Sequence, residues 1–513
     1  MEQTTDIVLQ RYDTVYFRIY CSRDIALEIN DRFSYEIKDA RFNPKVKAGI
    51  WDGFIRLYSL NTRTFPIGLY DAFMSFCSES DYTVSVDGDP ILTQTQITPN
   101  DLYEFVSGLT LKTKTGNEIS VRSYQYSGAY KAIRDRRRVI LSPTGSGKSL
   151  IQYLVVRYLR SLGYNILIVV PSTGLVTQLK GDFEDYSYYD TNWNAEDDVT
   201  MLPSEKKRLE KNGMTPILIS TWHSLTKKPD SFFEFFDCVI VDEVQSAKAN
   251  ELQNILKKLT NADIRLGFTG TLNDCVTDKM LIYAMFGSPV RVADTVDLID
   301  KKQLSEFKLK VVALKYSKEQ KKPFRYYDAT KSRMVQIPYK DEIKLICGNQ
   351  KRNRIVCRLA QVCSGNTLIL YNFREHGKAI VDMLDAKYTD KAVLYIDGES
   401  SIADRQNVGV AMSESKNIIA VASFGTFAAG VNIPSIENVI LASPTKSDIR
   451  LLQSIGRGLR KSEGKELCRI FDIADLIYTT KTMPNYTYKH MVHRLKTYLE
   501  NRFEYEIMEV DFD

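Results

Sequence analysis

The strongest constraint on the fold of this chain lies at residues 138–162. An apolar run, Arg138-Val-Ile-Leu141, breaks into Ser142-Pro-Thr-Gly-Ser-Gly-Lys-Ser149, and a helix-like pattern, Leu150–Leu162, follows at once. Strand, glycine-rich turn, Lys-Ser and helix in that order make a phosphate-binding loop. Gly145 and Gly147 let backbone N–H groups point inward around an anion, and the helix N-terminus adds its partial positive charge. Thr144, Gly145, Ser146, Gly147, Lys148 and Ser149 are therefore the expected contacts to a nucleotide's phosphates. Lys148 supplies a point charge for the β and γ phosphates, and Ser149 offers a hydroxyl to Mg²⁺. Ser142 stands where the general pattern has its first glycine. The bland alternative, a tight turn with an incidental lysine, fits the flanking strand and helix poorly.

Such a loop belongs in a parallel sheet, and the surrounding pattern agrees. Val139–Leu141, Ile166–Val170, Ile217–Ser220, Cys238–Val241 and Arg265–Thr269 are short apolar runs separated by helix-length segments. That alternation predicts a sheet with helices on both faces. A second series follows: Thr367–Tyr371, Ala392–Ile396, Ile418–Ala422, Asn438–Ala442 and Cys468–Asp472. With 513 residues, about three domains are expected. The first, residues 1–95, is α+β: Thr14–Tyr20 alternates, Asp24–Phe33 has helical spacing, Gly53–Leu60 returns to strand, and the polar Ser85–Thr95 marks its end. The two α/β units follow at 110–300 and 346–513, the latter with a C-terminal helical segment. The charged stretch 301–345 between them is linker-like with possible strands.

Composition excludes more than it selects. At 44% hydrophobic and 26% charged residues the chain is neither disordered nor fibrous. A formal net charge of +5 is too small to argue for nucleic acid by itself. Eight scattered cysteines form no C-x-x-C pair, and with four histidines a dedicated zinc site is not expected. Met1–Asp6 is no leader of basic then apolar residues, and no apolar stretch approaches the roughly 20 residues of a membrane helix. A cytoplasmic protein without membrane contact is expected.

Asp242 and Glu243 leave the buried run Val239-Ile-Val241, at the strand end where open α/β sheets present their ligands. Two acids there could be mere solvated loop or a helix cap. With the phosphate loop in the same domain, Asp242 is read as a Mg²⁺ holder and Glu243 as the group that polarises the attacking water. Hydrolysis also needs positive charge at the γ-phosphate. Gln453-Ser-Ile-Gly-Arg-Gly-Leu-Arg460 offers Arg457 and Arg460, three apart on a helix, as arginine fingers from the second α/β unit.

In this order the segments resemble the motifs of superfamily 2 helicases and translocases, over about residues 120–475. Arg122-Ser-Tyr-Gln125 is similar to the adenine-reading Q-motif, so the resemblance implies ATP contacts from Arg122, Tyr124 and Gln125. Pro171–Gln178 resembles motif Ia, Ser220–Leu225 the next single-strand contact, Asp242–Gln245 motif II and Thr269-Gly-Thr271 motif III. Leu368–Phe373 resembles motif IV, Ala422–Asn432 motif V and Gln453–Arg460 motif VI, which adds Gly430, Asn432 and Gln453 to the implied nucleotide contacts. The implied fold is a tandem pair of RecA-like parallel-sheet domains with a small N-terminal α+β DNA-binding domain. Within the superfamily, Arg41–Leu57, Phe471-Asp-Ile-Ala-Asp475 and the basic C-terminal segment resemble the UvsW family of recombination helicases of T4-like phages. That resemblance implies an ATP-driven motor on branched DNA, acting in recombination, repair and replication by junction migration, fork regression and unwinding of D-loops or R-loops, RNA–DNA hybrids among its substrates. Motif II ends here in Gln245 where the family pattern has His. Either side chain can hydrogen-bond to neighbouring motifs, so hydrolysis is expected to survive.

Contacts to DNA are expected from two sources. Between Lys38 and Arg56, basic residues including Lys45, Lys47 and Arg56 outnumber acids and interleave with Phe42, Trp51 and Phe54, a pattern suited to phosphate binding and base stacking. The alternative is that Trp51 and Phe54 pack the small domain's core. The family roles point to Thr173, Gln178, Thr221 and Thr426 as backbone contacts. Arg134-Asp-Arg-Arg-Arg138 and the C-terminal Lys489, His490, His493, Arg494 and Lys496 are as well explained by solvated helix faces. Competing readings are an RNA helicase, a DNA-anchored nucleotide switch and the motor subunit of a restriction system.

Overall fold

Ile166-Leu-Ile-Val-Val170 is apolar at every position, and in a computed structural model of the chain all five residues are buried in a strand. A strand reads this way when both of its faces are covered. Cys238–Asp242 and Ile264–Thr269 are buried throughout for the same reason. The structure describes residues 5–511 except 247–249, 273–274, 388–389, 429–432, 434, 462–464, 466 and 481–482.

Two compact units divide at Ala293 and Asp294. The first carries a seven-stranded, all-parallel sheet in the order 289–291, 137–141, 264–269, 238–242, 166–170, 217–221, 199–202. All five apolar runs expected from the sequence are strands. The short edge strands Val199–Leu202 and Pro289–Arg291 join them, too brief to leave a pattern of their own. Helix Lys148–Ser161 buries Leu150, Ile151, Leu154, Val155 and Leu159 on this sheet. Each such side chain contributes about 1.5–3 kcal/mol by leaving water.

The second unit repeats the architecture, with seven parallel strands in the order 393–396, 419–423, 367–371, 438–441, 467–476, 306–315, 505–511. The tandem RecA-like arrangement is thus present. Two boundaries differ from expectation. Glu306–Lys315, inside the stretch read as a linker, is a ten-residue strand paired along its whole length with Leu467–Leu476. Its first half, Glu306-Phe-Lys-Leu-Lys310, is half-solvated and charged, which concealed a strand whose second half is buried. After helix Tyr486–Glu500 the chain ends not in helix but in the edge strand Tyr505–Asp511. Edge exposure makes that strand polar: Glu506 pairs with Lys310 at 3.3 Å, and Glu509 with Lys315.

The N-terminal module is a four-stranded mixed sheet in the order 64–66, 16–20, 7–11, 84–87. Val84–Asp87 is therefore the last strand of the module, where a turn was expected from residue 85. Phe17, Phe33, Phe65, Phe73 and Phe76 form its core together with Ala284, and Met280 and Tyr283 pack against it. Those three residues lie on helix Val276–Phe286 of the first motor sheet. A Cβ on Gly68 would stand 2.1 Å from the Tyr283 carbonyl oxygen, so only glycine permits this approach. The module and the first motor sheet therefore share one core.

The run Arg134–Arg138 bolts this junction. Asp263 receives Arg11 at 2.5 Å, the Thr93 hydroxyl at 2.8 Å, Arg137 at 3.4 Å and Arg136 at 3.6 Å. Arg138 pairs with Asp135 at 2.6 Å and reaches Asp71 at 3.1 Å. Burial works against the Asp263 charge, but Arg137, Thr93 and Arg11 hold its carboxyl below the usual range. A depressed pKa contributes stability that is present above the unfolded value near 4 and lost as pH falls through the folded one. Asp263→Ala leaves buried Arg137 uncompensated and is expected to destabilise the first unit by about 3 kcal/mol at pH 7. Denaturation at pH 7 and pH 3 checks this: wild type and variant should converge at the acid end, and equal stability at pH 7 would refute it.

Candidate nucleotide site and nucleic-acid surface

The phosphate loop leaves strand Arg137–Leu141 and enters helix Lys148–Ser161, with Gly145 at φ +86° and Gly147 at φ +80°. Only glycine adopts both conformations freely. The Gln125 amide lies against Gly147, where a Cβ would meet its Nε2 at 2.4 Å. Gln125 is buried, and its Oε1 accepts the Arg122 backbone N–H at 2.9 Å. Arg122 donates from Nη1 to the Tyr124 hydroxyl at 3.0 Å. The structure thus brings Gln125 to the phosphate loop, with Arg122 bonded to Gln125 and Tyr124 to Arg122.

Lys148 Nζ lies 3.0 Å from Asp242 Oδ1 and 2.8 Å from Glu243 Oε1. Burial works against the lysine charge, but the two carboxylates together hold its pKa above that of an ordinary lysine. One ammonium cannot compensate two anions. Burial raises the Asp242 carboxyl, Lys148 opposes the rise and Glu243 adds to it. Asp242 Oδ1 is buried without a hydrogen-bond partner beyond this ion pair. A buried, under-compensated carboxylate suits a divalent cation, and Asp242 is the residue that fits Mg²⁺. Ser149 Oγ, the other expected ligand, sits 2.9 Å from the Tyr186 hydroxyl.

Glu243 has φ +50°, a left-handed conformation that costs a non-glycine residue roughly 1–2 kcal/mol. Strain of this kind persists where the surroundings over-determine the position. Both carboxylate oxygens are held, Oε1 by Lys148 and Oε2 by the Gln245 amide at 2.6 Å. Gln245 Oε1 in turn accepts the Thr269 hydroxyl at 2.5 Å. A continuous chain runs from Lys148 through Glu243 and Gln245 to Thr269, joining motifs I, II and III. An amide, with a donor and an acceptor at fixed separation, makes this bridge where the family pattern has an imidazole. Thr269 and Tyr186 were not among the expected site residues. Thr269 carried a signal, its place in Thr-Gly-Thr271, whereas Tyr186 ends helix Thr173–Tyr186 with none.

In the second unit, helix Asp448–Gly458 carries Gln453 and Arg457, both half-buried. The helix stops before Arg460, so the two arginines do not share a helix face as their spacing suggested. Arg457 lies 5.5 Å from the Phe427 ring of motif V. The C-terminal helix fixes the start of the motif VI helix: Asp448 accepts from His493 at 2.8 Å and from the Thr497 hydroxyl at 2.6 Å. Arg494 is fully buried against Asp472. Part of the C-terminal basic run is thus internal scaffolding. Gly430 and Asn432 lie outside the described residues.

Of the expected DNA contacts, Thr173 is exposed at the first turn of its helix and Gln178 is half-buried. Thr221 and Thr426 are buried, Thr221 capping helix Trp222–Leu225 through Ser224 N–H and Thr426 bonding Ser423 at 2.7 Å. In the N-terminal module, strands Ser34–Glu36 and Phe54–Arg56 pair and carry residues 37–53 between them, a loop that includes the 3-10 turn Ala40–Phe42 and the one-turn helix Pro44–Lys47. Lys45, Lys47 and Arg56 are exposed there. Phe42 is 60% and Ile50 77% exposed, so these two face water, whereas Ala40 is buried. Trp51 is half-buried outside the core cluster, its indole donating to the Phe54 carbonyl at 3.0 Å. Arg56 is paired with Asp52.

Comparison with known proteins covers the whole chain. Residues 6–87 match the family described as DNA helicase UvsW, N-terminal; residues 118–274 match Type III restriction enzyme, res subunit; residues 350–462 match the helicase conserved C-terminal domain. The ATP-dependent DNA helicase uvsW of Enterobacteria phage T4 is 32% identical over 520 residues, spanning 99% of this chain and 100% of that protein. A DNA 3'-5' translocase of Sulfurisphaera tokodaii is 21% identical over 68% of this chain and 81% of its own length. The crystal structure of T4 UvsW superposes with a TM-score of 0.51 at 30% identity, covering 99% of this chain and 100% of that one.

Proposed function

Because the chain belongs to the UvsW family of superfamily 2 ATP-dependent DNA helicases, we propose that it drives branch migration and unwinding at branched DNA, forks, four-way junctions, D-loops and R-loops included. The observation that carries this reading is the Lys148–Glu243–Gln245–Thr269 chain, which couples the residue that grips phosphate to the loops after three neighbouring strands. ATP binds through Gln125, the loop 144–149 and Asp242. Mg²⁺ held by Ser149 and Asp242 would neutralise charge on the β and γ phosphates. On binding, Lys148 exchanges its carboxylate partners for phosphate oxygens, which releases Glu243 to orient the attacking water. Gln245 transmits that change to Thr269. Arg457 and Arg460 supply positive charge to the γ-phosphate during turnover.

The exposed cationic and apolar loop at residues 37–53 supports a role for the N-terminal module in holding the branch point. Sharing a core with the first motor sheet, it moves as one piece with that sheet. Support for DNA over RNA comes from this module, since motor motifs alone barely distinguish the two.

The test compares ATP turnover with linear duplex, forked DNA, a four-way junction and an R-loop, with Glu243→Gln as the inactive control. Branched substrates are expected to stimulate more strongly than linear duplex. Equal stimulation by all four would remove the branched-DNA assignment. Turnover insensitive to any DNA would favour the nucleotide-switch reading.

A further inference from the structure

Residues 318–340 hold seven lysines and arginines against only Glu319 and Asp328, a surplus of five positive charges equal to that of the entire chain. Within this segment Arg325–Asp328 and Arg333–Gln336 pair antiparallel, Tyr326 opposite Val335 and Tyr327 opposite Met334, as a two-stranded sheet of their own. An isolated hairpin is marginal in water and needs external anchoring. Its base has that: Phe324 is buried, and the Arg325 guanidinium lies 3.5 Å from the Tyr478 ring centre and donates to the Met483 carbonyl at 2.7 Å. Its tip is equally set. Asp328 accepts from the Thr330 hydroxyl at 2.6 Å, the Thr330 N–H at 3.0 Å and the Lys331 N–H at 3.3 Å. Thr330 and Lys331 together hold its carboxyl down to about 2.

On this fixed ribbon the apolar side chains face solvent: Tyr327 is 62%, Tyr326 49% and Met334 45% exposed. Solvated hairpins ordinarily present polar residues there. An aromatic beside a flexible thioether makes a flat apolar platform, and a surrounding surplus of cations selects an anionic polymer. A nucleic-acid strand meets both demands, because its bases stack on aromatic faces while its phosphates seek cations. A duplex meets only the second, its bases being already stacked on one another.

We propose that the hairpin 325–336 is a single-strand binding surface, on which Tyr327 with Met334 receives an unpaired base and exposed Arg333 follows the DNA backbone. The proposal rests on the DNA-motor reading and adds to it a second contact, on the second unit, for the strand that unwinding releases. It uses no residue of the nucleotide site, so ATP hydrolysis and hairpin function are separable.

The experiment titrates the full chain with fluorescent oligo-dT and with duplex of equal length, for wild type, Tyr327→Ala and Tyr327→Phe. Stacking of one base predicts that Tyr327→Ala binds oligo-dT about tenfold more weakly. Duplex affinity should be unchanged, and Tyr327→Phe, which keeps the ring, should bind like wild type. A bromodeoxyuridine oligonucleotide should crosslink within residues 326–334. Unchanged oligo-dT affinity in Tyr327→Ala overturns the proposal, as does an equal loss on duplex. Tyr327-dependent binding of oligo-rU without binding of oligo-dT overturns the choice of DNA. If wild type binds no DNA and its turnover ignores DNA, the motor reading falls as well; if wild type does both and the variants match it, the hairpin proposal alone falls.

Discussion

Lys148→Ala is expected to lower DNA-stimulated ATP turnover at least about 10²–10³-fold, the effect of removing one preorganised charge from a reacting phosphate. The expected loss is large because the lysine does two things. Before ATP arrives it is the cation between Asp242 and Glu243, at 3.0 and 2.8 Å. Without it, a buried and a half-buried carboxylate face one another, and one is expected to take up a proton. Asp242, whose carboxyl burial already raises, is the one expected to do so. The variant therefore loses a phosphate contact and, through protonation, the charge that would hold a metal. Lys148→Arg is not expected to rescue, since a planar fork does not replace a compact ammonium in a site this tight. Phosphate release measured with saturating DNA and increasing ATP checks the prediction; turnover within tenfold of wild type would mean that another group grips the phosphates.

Arg460→Ala is expected to leave ATP binding in place and reduce turnover by about 10³–10⁵-fold, the range seen when an arginine finger is supplied or withheld. Two of the bonds that hold this residue are made by its backbone. The Lys465 ammonium donates to the Arg460 carbonyl at 2.9 Å, and the Arg460 N–H bonds the Arg457 carbonyl at 3.3 Å. Both survive truncation to alanine, and a thermal melt of the variant that matches wild type would show that a loss of activity reports on the guanidinium. Nucleotide affinity and single-turnover hydrolysis, measured side by side, separate the two effects. Near-normal DNA-stimulated hydrolysis would defeat the finger assignment.

Much of the nucleotide site was legible because its residues sit at chain-local positions with a local physical reason. Gly145 and Gly147 are needed where the backbone turns left-handed, Lys148 and Ser149 at the start of the helix that follows. Asp242 and Glu243 stand at the exit of an apolar strand. Arg457 and Arg460 were equally visible, but their shared face was not to be had: the helix ends at Gly458, two residues short of Arg460. Glu306–Lys315 was legible only as a possible strand within a linker, because its solvated half alternates with lysines. The basic run Arg134–Arg138 escaped in another way. Its charge was evident, but its partners, Asp263 and Asp71, are far off in sequence.

That contrast divides what each level decided. Periodicity, turn chemistry and the strand–loop–helix order depend on neighbours within a few residues, and they alone determined two parallel sheets, a phosphate loop and the acids at a strand end. Which distant groups meet depends on how strands order themselves in a sheet and which faces remain uncovered. Tertiary structure alone therefore decided that Gln245 bridges Glu243 to Thr269, that the N-terminal module shares its core with helix Val276–Phe286, and that Tyr327 and Met334 stand in water. A hydrogen bond, a buried charge or an exposed ring is a property of the pair or the surface, and a linear chain does not contain it until long-range packing closes.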